Sequence, residues 1–132
     1  EEIPSTRLEF SSGDFFDART VPAIGSGEVV VLRNILHDWP DDDCVCILRN
    51  LREMMDPDGR LVLVELGLAT NGRGHVLEQA RSGIDMLMMT MFEGKERTRV
   101  ELTKLIERAG YDLVKIAETR SIAQVLEARP AV

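Results

Sequence analysis

Residues 28–66, EVVVLRNILHDWPDDDCVCILRNLREMMDPDGRLVLVEL, decide the fold. Val29, Val30, Val31 and Leu32 form a near-continuous apolar run, as expected of a strand over residues 28–34 buried on both faces. Over residues 41–55 the period changes. Cys44, Ile47, Leu48, Leu51, Met54 and Met55 follow the i, i+3, i+4, i+7 rule of an amphipathic helix. Asp41, Asp42 and Asp43 fall in its first turn, where the helix dipole favours negative charge. Asp56-Pro57-Asp58-Gly59 stops the helix and turns the chain. Leu61, Val62, Leu63 and Val64 then give a second buried strand over residues 61–66. Strand, helix, strand is the unit of a parallel sheet.

Working outward, residues 7–11 predict a short strand in which Leu8 and Phe10 alternate, ended by Gly13-Asp14. A loop through Gly74 follows the second buried strand. Residues 77–92 then predict a helix with Leu77, Ala80, Ile84, Leu87, Met88 and Met91 on one face. Thr98-Arg99-Val100-Glu101 reads as a capping box. It opens a helix with Leu102, Leu105, Ile106 and Ala109 inward and Gly110 as the residue beyond its end. Residues 111–118 and 121–127 predict two strands whose link is too short for a parallel crossover, so they should be antiparallel. The expected class is α/β: a mostly parallel sheet, helices on both faces, and a C-terminal antiparallel hairpin.

The composition agrees with one globular unit. The 132 residues are 44% hydrophobic and 30% charged, which excludes collagen-like, low-complexity and wholly disordered chains. The 23 acidic and 16 basic residues leave a net charge of −7, which argues against a nucleic-acid surface. No apolar run approaches the ~18 residues of a membrane span. The opening Glu1-Glu2 offers no basic region of a signal peptide, and the missing initiator Met suggests a piece of a longer chain. Cys44 and Cys46 lie two apart, on different faces of a helix, and read as small buried apolar residues.

In open α/β sheets ligands bind beyond the carboxyl ends of the strands. Asp14, the pair His37 and Asp38, and Glu65 stand at three such ends. Each has a plainer reading alone. Asp14 can form a turn after Gly13, and His37 can be a satisfied histidine before a helix. Asp38 can be that helix's N-cap, and Glu65 can hold a nearby arginine. Their shared edge is what points to a site. A metal centre lacks ligand spacing, since His75 stands in a Gly-rich loop without a partner motif. Nucleophilic catalysis lacks a G-x-S-x-G elbow. Gly25-Ser26-Gly27 precedes a strand instead of following one, so it is no phosphate cradle. A general base fits better: imidazole titrates near pH ~6.5, and neighbouring carboxylates can orient it.

Four ordered motifs resemble those of S-adenosylmethionine-dependent O-methyltransferases of the caffeate, hydroxyindole and polyketide type. Leu32-Arg33-Asn34-Ile35-Leu36-His37-Asp38-Trp39 followed by Asp41-Asp42 resembles the L-[KR]-x-x-x-H-D-W-x-D signature. Gly13-Asp14-Phe15-Phe16 resembles G-D-[FM]-F, and Pro57 to Glu65 resembles P-x-G-[RK] with its following strand and glutamate. Gly94-Lys95-Glu96-Arg97-Thr98 and Ala109-Gly110-Tyr111 resemble the family's last conserved region.

The resemblance implies a partial Rossmann-like sheet and S-adenosylmethionine as cofactor. It implies His37 as general base, with Glu65 and Glu96 holding its ring. Asp14 and Phe15 would meet the adenine, Arg33 would lie beside the cofactor, and Trp39 would wall its pocket. Asp38, Met86, Met89 and Phe92 would line the acceptor site, while Leu87, Met88 and Met91 read more simply as core. The acceptor would be a hydroxyl of an aromatic or polyketide-like small molecule, in secondary metabolism. A phenol with pKa near ~10 needs a base to attack at neutral pH. A cytoplasmic homodimer is the expected setting, with no nucleic acid and no membrane.

The family's N-terminal dimerisation domain, its glycine-rich loop and its ribose-binding acidic strand have no counterpart here. The chain therefore reads as the C-terminal part of the catalytic domain, over residues 1–132. In the family's strand order, the strand at residues 28–34 is then left with an exposed apolar edge. Such an edge recruits partners or aggregates. The alternative is a non-catalytic fragment that folds or self-associates without cofactor.

Overall fold

The computed structural model describes residues 8–68, 95–119 and 123–132. The predicted helix over residues 77–92, with Met86, Met89 and Phe92, lies outside them, as does His75.

The elements are β1 (Val29–Arg33), α1 (Asp41–Glu53), β2 (Arg60–Leu68), β3 (Arg97–Thr98), α2 (Arg99–Arg108), β4 (Tyr111–Glu118) and β5 (Ala123–Pro130). The sheet runs β1-β2-β5-β4. β1 and β2 are parallel, with Val29 opposite Arg60 and Arg33 opposite Val64. β5 pairs antiparallel with β2 and with β4, and the two-residue β3 extends the far end of β2 in parallel. Among the described residues the sheet is thus mixed: the β–α–β unit supplies the parallel part and the C-terminal hairpin the antiparallel part.

Two expectations about the strands fail. Residues 8–11 form no strand, because a strand needs a ladder partner and none of the described strands pairs with them. β1 is not buried on both faces. Val29 and Val31 are 53% and 58% exposed, while Val30 and Leu32 pack against the core. The reason is placement: among the described strands β1 pairs only with β2, and both described helices cover one face. Val45 and Leu48 of α1 join Leu102, Leu105 and Ile106 of α2 in one cluster with Leu61, Leu63 and Leu126 of the sheet. The exposed edge predicted for this strand is present among the described residues.

The helix ends follow local chemistry. α2 opens with the full capping box: Thr98 accepts from the Glu101 N–H, and Glu101 accepts from the Thr98 N–H. Gly110 closes it at φ +85°, a left-handed conformation that costs glycine little. The acidic first turn of α1 is as expected, but its N-cap position is Pro40, so Asp38 caps nothing. Cys44 is buried, whereas Cys46 is exposed on the other side of α1, against the expectation that both are core. Burial raises the Cys44 thiol to about 11, so it stays protonated. The buried Tyr111 ties β4 to α1 by donating its hydroxyl to the Leu48 carbonyl at 3.1 Å.

Candidate active site

Asn34, the residue after β1, has φ +53° and donates its N–H to the Val64 carbonyl. That left-handed residue swings the chain off the sheet edge into a single 3-10 turn, Leu36–Asp38, which presents His37. Leu36 is fully buried and anchors the turn. The His37 side chain is 14% exposed, so the ring is enclosed but reachable.

Three carboxylates surround that ring. Nδ1 lies 3.1 Å from Glu96 Oε1 and 3.9 Å from Glu65 Oε2. Nε2 lies 3.3 Å from Asp38 Oδ1. Glu65 and Glu96 are both buried, at 2% and 3% exposure, while Asp38 stands at the open side. Glu65 Oε1 accepts the N–H groups of Ile35 and Leu36 at 3.1 and 3.0 Å, so one carboxylate holds the turn's backbone and flanks its ring. Burial raises the Glu65 carboxyl above the usual carboxylate range, against the lowering pull of those two N–H groups. Glu65 Oε2 has no hydrogen-bond partner among the described residues.

The cluster sits where the sheet predicts a site. His37 follows the end of β1, Glu65 lies near the end of β2, and Glu96 immediately precedes β3. Among the described residues Glu65 holds the turn's backbone and flanks His37, with no direct arginine contact. Asp14 stands apart from the cluster. It is exposed, and its carboxylate accepts the Phe16 N–H at 2.9 Å, the plain turn-former reading. Its loop nonetheless docks beside the site through aromatic edges. Phe15 and Phe16 meet Trp39 at ring-centroid distances of 5.8 and 4.8 Å. Asn50 of α1 fixes that loop by donating to the Phe15 carbonyl at 2.9 Å. Arg33 is exposed at the end of β1.

Two neighbours escaped the sequence reading. Gln124 of β5 stands opposite Glu65 in register, is 7% exposed, and leaves Nε2 without a partner among the described residues. Arg97, 2% exposed, reaches back under the His37 turn. The available signal was position alone: Arg97 adjoins Glu96 within the quoted motif.

Comparison with known proteins gives this arrangement a context. The profile of the O-methyltransferase domain matches residues 2–112. The chain belongs to the O-methyltransferase domain family. The strychnine O-methyltransferase of Strychnos nux-vomica is 36% identical over 126 residues, covering 93% of this chain and 33% of that protein. The structure of CalO1, a methyltransferase in calicheamicin biosynthesis in its SAH-bound form, superposes with a TM-score of 0.81 at 32% identity, covering 98% of this chain and 37% of that one. Human N-acetylserotonin methyltransferase in complex with SAM gives a TM-score of 0.80 at 26% identity, covering 97% and 35%. This O-methyltransferase-family chain thus spans about a third of the length of the curated relatives it matches. Among its described residues no helix is long and apolar enough to cross a membrane.

Proposed function

We propose that this chain is the C-terminal part of the catalytic domain of an enzyme that methylates a hydroxyl of an aromatic or polyketide-like small molecule, with S-adenosylmethionine as methyl donor and His37 as general base. The observation that carries the proposal is the His37 ring, with a buried carboxylate on Nδ1 and its Nε2 face toward the open side.

The chain's own residues supply the base. Glu96 accepts from Nδ1–H, which leaves the lone pair on Nε2 for the acceptor's hydroxyl proton. Glu65 fixes the turn through Ile35 and Leu36, so the imidazole does not have to be ordered at the moment of reaction. Once Nε2 takes the proton, the Asp38 carboxylate 3.3 Å away can accept it in a hydrogen bond. Asp38 also stands where the acceptor must approach, which supports its place in the acceptor site. Met86, Met89 and Phe92 are proposed there from the sequence alone.

The described residues fit the adenine end of the cofactor. Phe15 and Phe16 are half-buried rings that each meet the half-buried Trp39 edge to face, and such a wall suits a flat heterocycle. Asp14 keeps one carboxylate oxygen beyond the Phe16 N–H and can accept from an amino group. Arg33 would lie beside the bound molecule. When bound, the cofactor supplies an electrophilic sulfonium methyl. A cytoplasmic, homodimeric enzyme is the setting in which we place it.

The test is methyl transfer by the full gene product that carries these residues. It is incubated with S-adenosylmethionine and a panel of phenols and hydroxyquinones, and methyl ethers are read by mass spectrometry. Product from the parent and none from His37→Ala supports the reading, and product formed equally by both sinks it. A second reading, a non-catalytic fragment that self-associates, is favoured by one observation: among the described strands β1 is an edge strand, with Val29 and Val31 exposed. The gene product staying inert across the panel and failing to bind cofactor would favour it.

A further inference from the structure

We propose that Arg97 is the positioning residue of His37: its guanidinium clamps the backbone on both sides of the His37–Asp38 pair and so fixes where the imidazole stands between Glu65 and Glu96. The side chain is 1% exposed. Nη1 donates to the Leu36 carbonyl at 2.6 Å, and Nη2 donates to the Trp39 carbonyl at 2.7 Å. Nε and Nη2 both donate to Asp41 Oδ1, at 3.0 and 2.9 Å. One planar group thus joins the residue before His37, the residue after Asp38 and the first residue of α1.

The turn needs this. A three-residue 3-10 turn has too few internal hydrogen bonds to hold one geometry. Glu65 fastens its entry by accepting two N–H groups, and Arg97 spans it by donating to the carbonyls of its first residue and of the residue just past its end. Cys44 adds weak Sγ contacts to the same two carbonyls, at 3.2 and 3.4 Å. A buried guanidinium is costly unless its donors are used, and here its strongest contacts go to the His37 turn and the helix start behind it. The neighbouring backbone strengthens the argument. Glu96 and Arg97 are consecutive, so the carboxylate on Nδ1 and the clamp on the turn move as one unit. Lysine cannot replace the clamp, since an ammonium lacks the rigid fork that spans two carbonyls and a carboxylate.

This inference rests on the proposed function only for its kinetic readout. The experiment compares the full gene product with its Arg97→Lys variant by thermal unfolding, by 15N NMR of the histidine ring nitrogens, and by methyl-transfer kinetics. The chain has two histidines, so the His37 signals are assigned by their loss in His37→Ala. In folded Arg97→Lys the His37 Nδ1 and Nε2 signals should shift and the tautomer ratio change. The kcat should fall about 10- to 100-fold while the acceptor KM changes less than about threefold. A folded variant with parental His37 signals overturns the proposal, whatever its melting temperature. The NMR readout stands without turnover, so a parent that shows no methyl transfer refutes the function and leaves the clamp to be judged. If Arg97→Lys does not fold, Asp41→Asn decides. That side chain is 44% exposed and anchors the guanidinium from outside. It should move the same nitrogens by less, and unchanged signals overturn the clamp.

Discussion

His37 Nδ1 and Glu96 Oε1 stand 3.1 Å apart although 59 residues separate them. The contact orients the ring, and under the proposed function an Nδ1–H donated to Glu96 leaves Nε2 for the acceptor. His37→Ala should therefore remove the chemistry and spare cofactor binding. The kcat of the full gene product should fall by at least about 100-fold, the usual scale for losing a general base. Its affinity for S-adenosylmethionine, read by calorimetry, should stay within about threefold. An unchanged kcat removes His37 as base.

Glu65 makes a pH prediction. Its folded carboxyl lies above its ordinary value of 4.5, so the folded chain binds that proton more tightly than the unfolded chain. The resulting stability is full below the unfolded value and is lost as pH rises through the folded value. Glu65→Gln keeps an oxygen for the Ile35 and Leu36 N–H groups but does not titrate. Urea unfolding at about pH 4 and about pH 7 should show the variant gaining on the parent at the higher pH. A difference independent of pH contradicts the raised carboxyl.

Asn34 tests the strand exit. At φ +53° a glycine is relaxed and an alanine is strained. Asn34→Ala should cost about 1 kcal/mol in chemical denaturation, and Asn34→Gly no more than a few tenths. Equal costs would mean that the left-handed turn is not formed in solution.

Tyr111→Phe tests the clasp between β4 and α1. Losing the hydroxyl that donates to the Leu48 carbonyl should cost about 1 kcal/mol and leave kcat unchanged, since this contact lies in the core and away from the His37 ring. A kcat effect larger than the stability effect would show that the core clasp reaches the site.

Much of this architecture was legible in the sequence because the signals are local. The β–α–β unit, the capping box at Thr98 and Glu101, the Gly110 stop and the terminal hairpin all follow from period and turn chemistry. The strand expected at residues 7–11 was not legible, because strand formation depends on a ladder partner and not on the alternation of Leu8 and Phe10. Val29 and Val31 misled for a related reason: an apolar run shows that a strand suits burial, not what covers it. Within the site, His37, Glu65 and Glu96 were reachable by motif and fold rule together. Arg97 and Gln124 were not, since a buried arginine and a buried glutamine look in sequence like any surface residues.

The His37 turn is fastened by β2 through Glu65, by α1 through Cys44 and by the start of β3 through Arg97. None of these fasteners lies within the turn, and Glu65 and Arg97 lie 29 and 61 residues from the Leu36 atoms they hold. The turn therefore should not take shape until separate segments have assembled, which puts His37 among the last parts of the chain to order during folding. The same wiring makes its amide protons reporters of the whole assembly. The Ile35 and Leu36 N–H groups, both held by Glu65, should exchange with solvent only when β2 comes away from the turn, which links their protection to cooperative opening of the sheet instead of fraying at its edge.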